Sequence, residues 1–179
     1  MQLHELEHVI RAAAEVAREP DIVVIGSQAI LATDSEAPSP LSASMEADIY
    51  PREHPERATD IDGALGEYSR FHETFRYYAH GVGPETPQAP TGWQTRLIPI
   101  HNENTRGATG WCMEPHDLVL SKLAAGREKD LTFARAAIAR GLASSSELRS
   151  RVASMPLDQA GQRLVQANLA ACLTNAAAG

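Results

Sequence analysis

The run Ile22-Val23-Val24-Ile25, entered from Asp21 and stopped by Gly26-Ser27, constrains the fold more than any other stretch of the chain. Its residues are β-branched and suit a pleated surface, and no polar residue alternates with them to meet water. A strand of that kind is buried, so a sheet with helices laid against it is expected. Gly26-Ser27 should turn the strand into a short second helix reaching Leu31. A second strand is expected at Glu46-Ala47-Asp48-Ile49-Tyr50, ended by Pro51 and Pro55. Side chains at i and i+2 of a strand share a face, so Glu46 and Asp48 should project into one small volume. Two carboxylates held together repel unless a cation joins them. A hard divalent ion, Mg²⁺ or Mn²⁺, bound by this pair and by substrate phosphates is the economical explanation. The Gly26-Ser27 turn then offers unobstructed backbone N–H groups to a phosphate.

The remaining elements follow from periodicity and punctuation. Leu3, Leu6, Ile10, Ala13 and Ala17 recur at helical spacing, which predicts an amphipathic helix from Met1 to about Arg18, stopped by Pro20. Asp34 to Ser44 should be a loop, and Asp60 to Tyr68 a helix. Phe71 to Tyr78 gathers aromatic residues, and Gly81 to Gly92 is broken repeatedly by Gly and Pro; together they read as a surface-lining excursion and the acceptor side of a site. Arg96–Ile100 and Ala108–Met113 should form a hairpin. Helices are expected from Pro115 to Gly126 and from Arg127 to Arg140, with a third behind a Ser144–Glu147 capping box and a fourth through Leu157, Leu164 and Ala171. The division expected is an α/β domain over residues 1–141, with residues 142–179 as a helical extension packed on it.

The 179 residues suffice for one core, and a net charge of −7 speaks against a broad DNA-binding surface. Cys112 and Cys172 suggest neither a disulfide framework nor a cysteine-rich zinc site. The first helix is charged in every turn, and no apolar run approaches the roughly 20 residues needed to cross a bilayer. A soluble cytoplasmic protein without a membrane partner is expected. His54, His80, His101 and His116 have no His-x-x-x-His spacing, which leaves a zinc hydrolase unsupported.

The order apolar strand, Gly26-Ser27, helix, loop and Glu46-x-Asp48 resembles the nucleotidyltransferase superfamily that includes DNA polymerase beta. Glu114-Pro115-His116-Asp117-Leu118 with Lys122-Leu123, followed by Arg127-Glu128-Lys129-Asp130-Leu131, resembles the helical region of abortive-infection type nucleotidyltransferase toxins. Ser44 to Asp48, Phe71 to Phe75 and Arg127 to Asp130 are most similar to an uncharacterised family of bacterial nucleotidyltransferase-like proteins. The resemblance spans roughly residues 3 to 140. It implies a small mixed β-sheet flanked by helices with a C-terminal helical segment, and metal-dependent transfer of an NMP group from an NTP to an acceptor hydroxyl. The acceptor would be tRNA or another RNA, a protein or a small molecule, and an antitoxin is a further partner the toxin relatives imply.

By the same resemblance, Gly26 and Ser27 would contact phosphates, and Glu46 and Asp48 would ligate metal. Lys122 or Lys129 would neutralise triphosphate charge, and Asp130 would orient a lysine or a base. His72 is a secondary candidate as base or ligand. Read without the resemblance, Lys122 can equally snorkel, and Arg127 to Asp130 can be a solvated helix start. The superfamily often adds a third carboxylate on a later strand. Arg96 to Ile100 contains none, leaving Asp62, Glu103 and Glu114 as unranked substitutes. A catalytically silent nucleotide-binding or interaction module and a metal-dependent phosphohydrolase therefore stand as alternatives.

Overall fold

The run that opens in Asp21 becomes the middle strand of a sheet. A computed structural model of the chain describes residues 1–176. Its strands are β1 (Asp21–Ile25), β2 (Glu46–Pro51), β3 (Tyr78–Gly81), β4 (Ile98–Ile100) and β5 (Thr109–Cys112). They lie in the order β3-β2-β1-β5-β4. The sheet is mixed: β1 runs antiparallel to β2 and parallel to β5, β3 joins β2 in parallel, and β4 and β5 form the expected antiparallel hairpin. Ile22, Val23, Val24 and Ile25 are at most 2% exposed. Full burial of each such side chain contributes roughly 1.5–3 kcal/mol, which explains why a strand of five residues holds the centre.

The helices are α1 (Leu3–Ala17), α2 (Ala58–Leu65), α3 (Arg70–Phe75), α4 (Pro115–Ala125), α5 (Glu128–Ala139), α6 (Ser145–Val152) and α7 (Gln159–Ala176). Leu6, Ile10, Ala13 and Ala17 of the predicted stripe of α1 are buried and Leu3 partly so, and the helix sits so close to β5 that a Cβ on Gly110 would fall 2.3 Å from Ile10 Cδ1. On β3 the approach is closer still: a Cβ on Gly81 would fall 1.9 Å from the Ala58 carbonyl oxygen of α2. Ala47, Ile49 and Ala79 are fully buried. Alternation along β2 and β3 thereby commits Glu46, Asp48, Tyr78 and His80 to the opposite face.

Three local expectations change. The segment after Gly26-Ser27 is a six-residue 3₁₀ helix, Ser27–Ala32, rather than an α-helix. The aromatic stretch is not an open excursion: α3 forms there, Ser69 capping it through the His72 N–H, and β3 follows to extend the sheet. Phe71, Phe75 and Tyr77 form a tilted and edge-on cluster with His8 of α1, with His8 and Phe75 centroids 4.6 Å apart. Arg96 lies outside the strand and grips Asp117.

Pro115 begins α4 as expected, and Glu114 caps it by accepting from the N–H groups of His116 and Asp117. Ser144 likewise caps α6 by accepting from the Glu147 N–H, but the Glu147 carboxylate closes no box and instead accepts from Arg151 Nε at 2.6 Å. Asp117 is fully buried. It accepts from Arg96 Nε at 2.7 Å and Arg151 Nη1 at 2.9 Å, a buried ionic link between the β4 approach, α4 and α6. Trp93 is core, whereas Trp111 donates to Asp21 Oδ1 at 2.8 Å with Arg52 over its ring. Cys112 and Cys172 are free thiols, and no helix of the described residues is long and apolar enough to cross a membrane.

Candidate active site

Register builds the site. In the parallel β2–β3 ladder Glu46 lies opposite Tyr78 and Asp48 opposite His80, so the four side chains form two adjacent rows on one face. His80 Nδ1 is 2.9 Å from Glu46 Oε1 and 3.1 Å from Asp48 Oδ1. The Tyr78 hydroxyl donates to Glu46 Oε2 at 3.4 Å. One ligand atom from each of Glu46, Asp48 and His80 lies within 4.8 Å of the other two, a spacing on which a single cation can converge.

The electrostatics follow from that crowding. Burial and then the Asp48 charge raise the pKa of Glu46, with His80 opposing them. Burial alone would lower the pKa of His80, but its hydrogen bond to Asp48 and the charges of Asp48, Glu46 and Asp62 outweigh it and raise the value. Burial and Glu46 push the Tyr78 hydroxyl up to about 12, keeping it a donor. The group thus carries excess negative charge that a cation would relieve.

Gly26 has a role that the phosphate-turn reading did not foresee. With φ +72° and ψ −171° it occupies a conformation open almost only to glycine. A Cβ there would sit 2.2 Å from Asp48 Oδ2. The missing side chain is the cradle in which the Asp48 carboxylate rests. Ser27 lines the same cleft.

Facing the acidic group across a cleft of about 590 Å³ are Lys122, Arg127 and Lys129. Asp130, 1% exposed, organises two of them: Arg127 Nε donates to it at 2.6 Å, and Lys122 Nζ lies 3.4 Å away, above the Phe133 ring. Burial would raise the Asp130 pKa, but Arg127 and Lys122 hold it below the ordinary carboxylate value. Lys129 reaches the cleft from the exposed start of α5. A second cleft of about 330 Å³ shares Asp48, Thr86, Lys122 and Arg127 with the first and adds Gly26, Leu118 and Ser121, so the two are continuous.

The candidates from the sequence therefore divide. Gly26, Ser27, Glu46, Asp48, Lys122, Lys129 and Asp130 surround one continuous depression. His72 does not line it; its Nδ1 accepts from the Tyr68 N–H, and its ring lies 4.7 Å from that of Tyr78. Of the three substitute carboxylates, Glu114 is bound to His116 and Arg151, Glu103 is exposed in a 3₁₀ turn, and Asp62 accepts from the Gly81 N–H at 3.2 Å. None joins the convergent group, whose third member is His80. Sequence reasoning missed His80 and the cleft position of Arg127.

The family model for nucleotidyltransferases of unknown function (DUF6036) matches residues 2–163. The chain belongs to this nucleotidyltransferase family. No curated protein and no solved structure matches it. Nucleotidyl transfer is thus the reaction class, with a nucleoside triphosphate as donor, and enzymes of this class generally use divalent metals. The donors present fit such an ion: two carboxylates and an imidazole converge beside a glycine cradle that frees Asp48 Oδ2.

Proposed function

We propose that the protein transfers an NMP group from an NTP to an acceptor hydroxyl in a reaction dependent on a divalent metal. The observation that carries this reading is the opposition of Glu46 and Asp48 to Lys122 and Arg127 across one cleft. An anionic pair alone would repel a triphosphate, and a cationic wall alone would bind one without a place for its metal. In the transfer, the acceptor oxygen bonds to the α-phosphorus as the bond to the β-bridging oxygen breaks. Pyrophosphate leaves with that electron pair, and the hydroxyl proton passes to water.

When bound, the metal supplies charge neutralisation and in-line alignment of the phosphates. The chain's own residues do the rest. Glu46, Asp48 and His80 would hold the ion. Lys122 and Arg127, fixed by Asp130, meet the charge of the phosphates and of the departing pyrophosphate. Tyr78 keeps Glu46 Oε2 oriented through its hydroxyl. The β2–β3 side, where Tyr78 and His72 lie, is the side assigned to the acceptor, which is an RNA such as tRNA, a protein or a small molecule. We place the protein in the cytoplasm, where NTPs are available. A toxin role paired with an antitoxin is the further reading that the likeness of Glu114–Leu118, Lys122 and Arg127–Leu131 to the toxin relatives supports; Glu114 and Asp117 of that motif are themselves engaged with Arg151 and Arg96 inside the fold.

The test is incubation with α-labelled NTPs, Mg²⁺ or Mn²⁺, and total RNA or the protein itself. Label should appear on an acceptor and vanish in Glu46→Ala and Asp48→Ala. A second reading, a silent nucleotide-binding module, is favoured by one observation: a histidine stands in the convergent group where a third carboxylate was sought. It predicts NTP binding with no transfer under either metal.

A further inference from the structure

The third position of the convergent group decides more than the count of ligands. His80 enters it by register: β3 pairs with β2 in parallel, Asp48 faces His80 directly, and Asp62 Oδ1 fixes the adjoining Gly81 N–H at 3.2 Å. A Cβ at Gly81 would have no room against Ala58, so β3 lies directly against α2 at the residue after His80. One ring nitrogen, Nδ1, faces both carboxylates at 2.9 and 3.1 Å. A lone ring N–H can make one strong hydrogen bond, not two, whereas a cation between the three atoms would use all of them.

The chemistry of that donor set discriminates between metals. Mg²⁺ is hard, demands oxygen ligands in near-ideal octahedral geometry and gains little from imidazole. First-row divalent ions take imidazole nitrogen beside carboxylate oxygen, Fe²⁺, Ni²⁺, Cu²⁺ and Zn²⁺ more strongly than Mn²⁺; Mn²⁺ is the member of the series nearest Mg²⁺ in its preference for oxygen and so the strictest comparison with it. We propose that His80 Nδ1 is a metal ligand and makes the site selective for imidazole-accepting divalent ions, of which Mn²⁺ is the probe, over Mg²⁺. This inference rests on the reading of Glu46 and Asp48 as metal ligands and specifies which ion that site serves. His80 is the residue through which this chain departs from an all-carboxylate site.

The test uses the full chain without nucleotide. Mn²⁺ binding is followed by loss of the free-ion paramagnetic resonance signal, Mg²⁺ by its power to displace Mn²⁺, and the ligand itself by pulsed detection of ¹⁴N coupling to bound Mn²⁺. The wild type should bind Mn²⁺ roughly tenfold or more tightly than Mg²⁺ and show nitrogen coupling. His80→Ala should lose that coupling and most of the preference while leaving Mg²⁺ affinity little changed, and His80→Asp should bring the two ions closer together. The His80 side chain is half exposed on an edge strand, and melting curves verify folding, with His80→Asn as the replacement if the alanine variant unfolds. Equal affinities, absent nitrogen coupling, or a His80→Ala protein indistinguishable from wild type overturns the inference. If His80 variants have no effect but Glu46→Ala and Asp48→Ala abolish binding, only this inference fails. If those two variants also have no effect, the metal-site reading beneath it fails as well.

Discussion

Replacing Gly26 with alanine separates two effects that the structure places at one atom. The backbone at Gly26, φ +72° and ψ −171°, is nearly closed to any residue with a Cβ, at a cost of about 1–3 kcal/mol. The added methyl would also lie 2.2 Å from Asp48 Oδ2. That contact is with the end of a side chain, so the carboxylate turns aside rather than the fold breaking; its consequence is loss of a ligand, not further loss of stability. Gly26→Ala should therefore unfold at lower urea concentration by about 1–3 kcal/mol and lose divalent-ion affinity to nearly the extent of Asp48→Ala. Gly107→Ala is the control. Gly107 has φ +90° with nothing within 4 Å of its Cβ position, so the variant should lose stability and keep metal affinity. Isothermal titration of the metal beside urea unfolding of each variant gives both quantities. Gly26→Ala protein with wild-type metal affinity would refute the cradle.

Three other outcomes follow from particular contacts. Asp117→Ala removes a fully buried carboxylate from Arg96 and Arg151 and should destabilise by about 3–5 kcal/mol in chemical unfolding, since two guanidinium groups lose their shared partner. The pKa of Asp130 is lowered in the fold, so its contribution to stability is complete above the unfolded carboxylate value of about 4 and disappears as pH falls through the lower folded value. Asp130→Asn should flatten the acid limb of a stability–pH curve in that window. Lys122→Ala should weaken NTP binding roughly tenfold, as expected on losing one charge-assisted contact, with a smaller effect for the more exposed Lys129; fluorescent-nucleotide titration reads both.

What the chain discloses before its fold is known depends on how local each signal is. Ile22 to Ile25, the i, i+2 pair Glu46 and Asp48, the Pro115 helix start and the Ser144 cap are written in neighbouring residues, and they stand where expected. β3 is not. It is a four-residue edge strand with Ala79 as its one buried residue, and its glycine and histidine resemble the breaks that follow. Its identity comes from pairing with β2, which is distant in sequence, so nothing in the spacing around His80 announces that it faces Asp48. Arg127 was hidden differently. Alternating charges at a helix start usually face solvent, and only the burial of Asp130 turns Arg127 toward the cleft. Asp117 likewise reads as a helix-dipole residue until Arg96 and Arg151 converge on it.

The central claim is that the β2–β3 face holds a metal opposite a cationic wall that holds a triphosphate. A crystal structure with Mn²⁺ and a non-hydrolysable NTP tests it most directly. The account predicts an ion touching Glu46, Asp48 and His80, with the phosphates between that ion and Lys122 and Arg127. An ion or nucleotide bound elsewhere, with this cleft left to solvent, would contradict it.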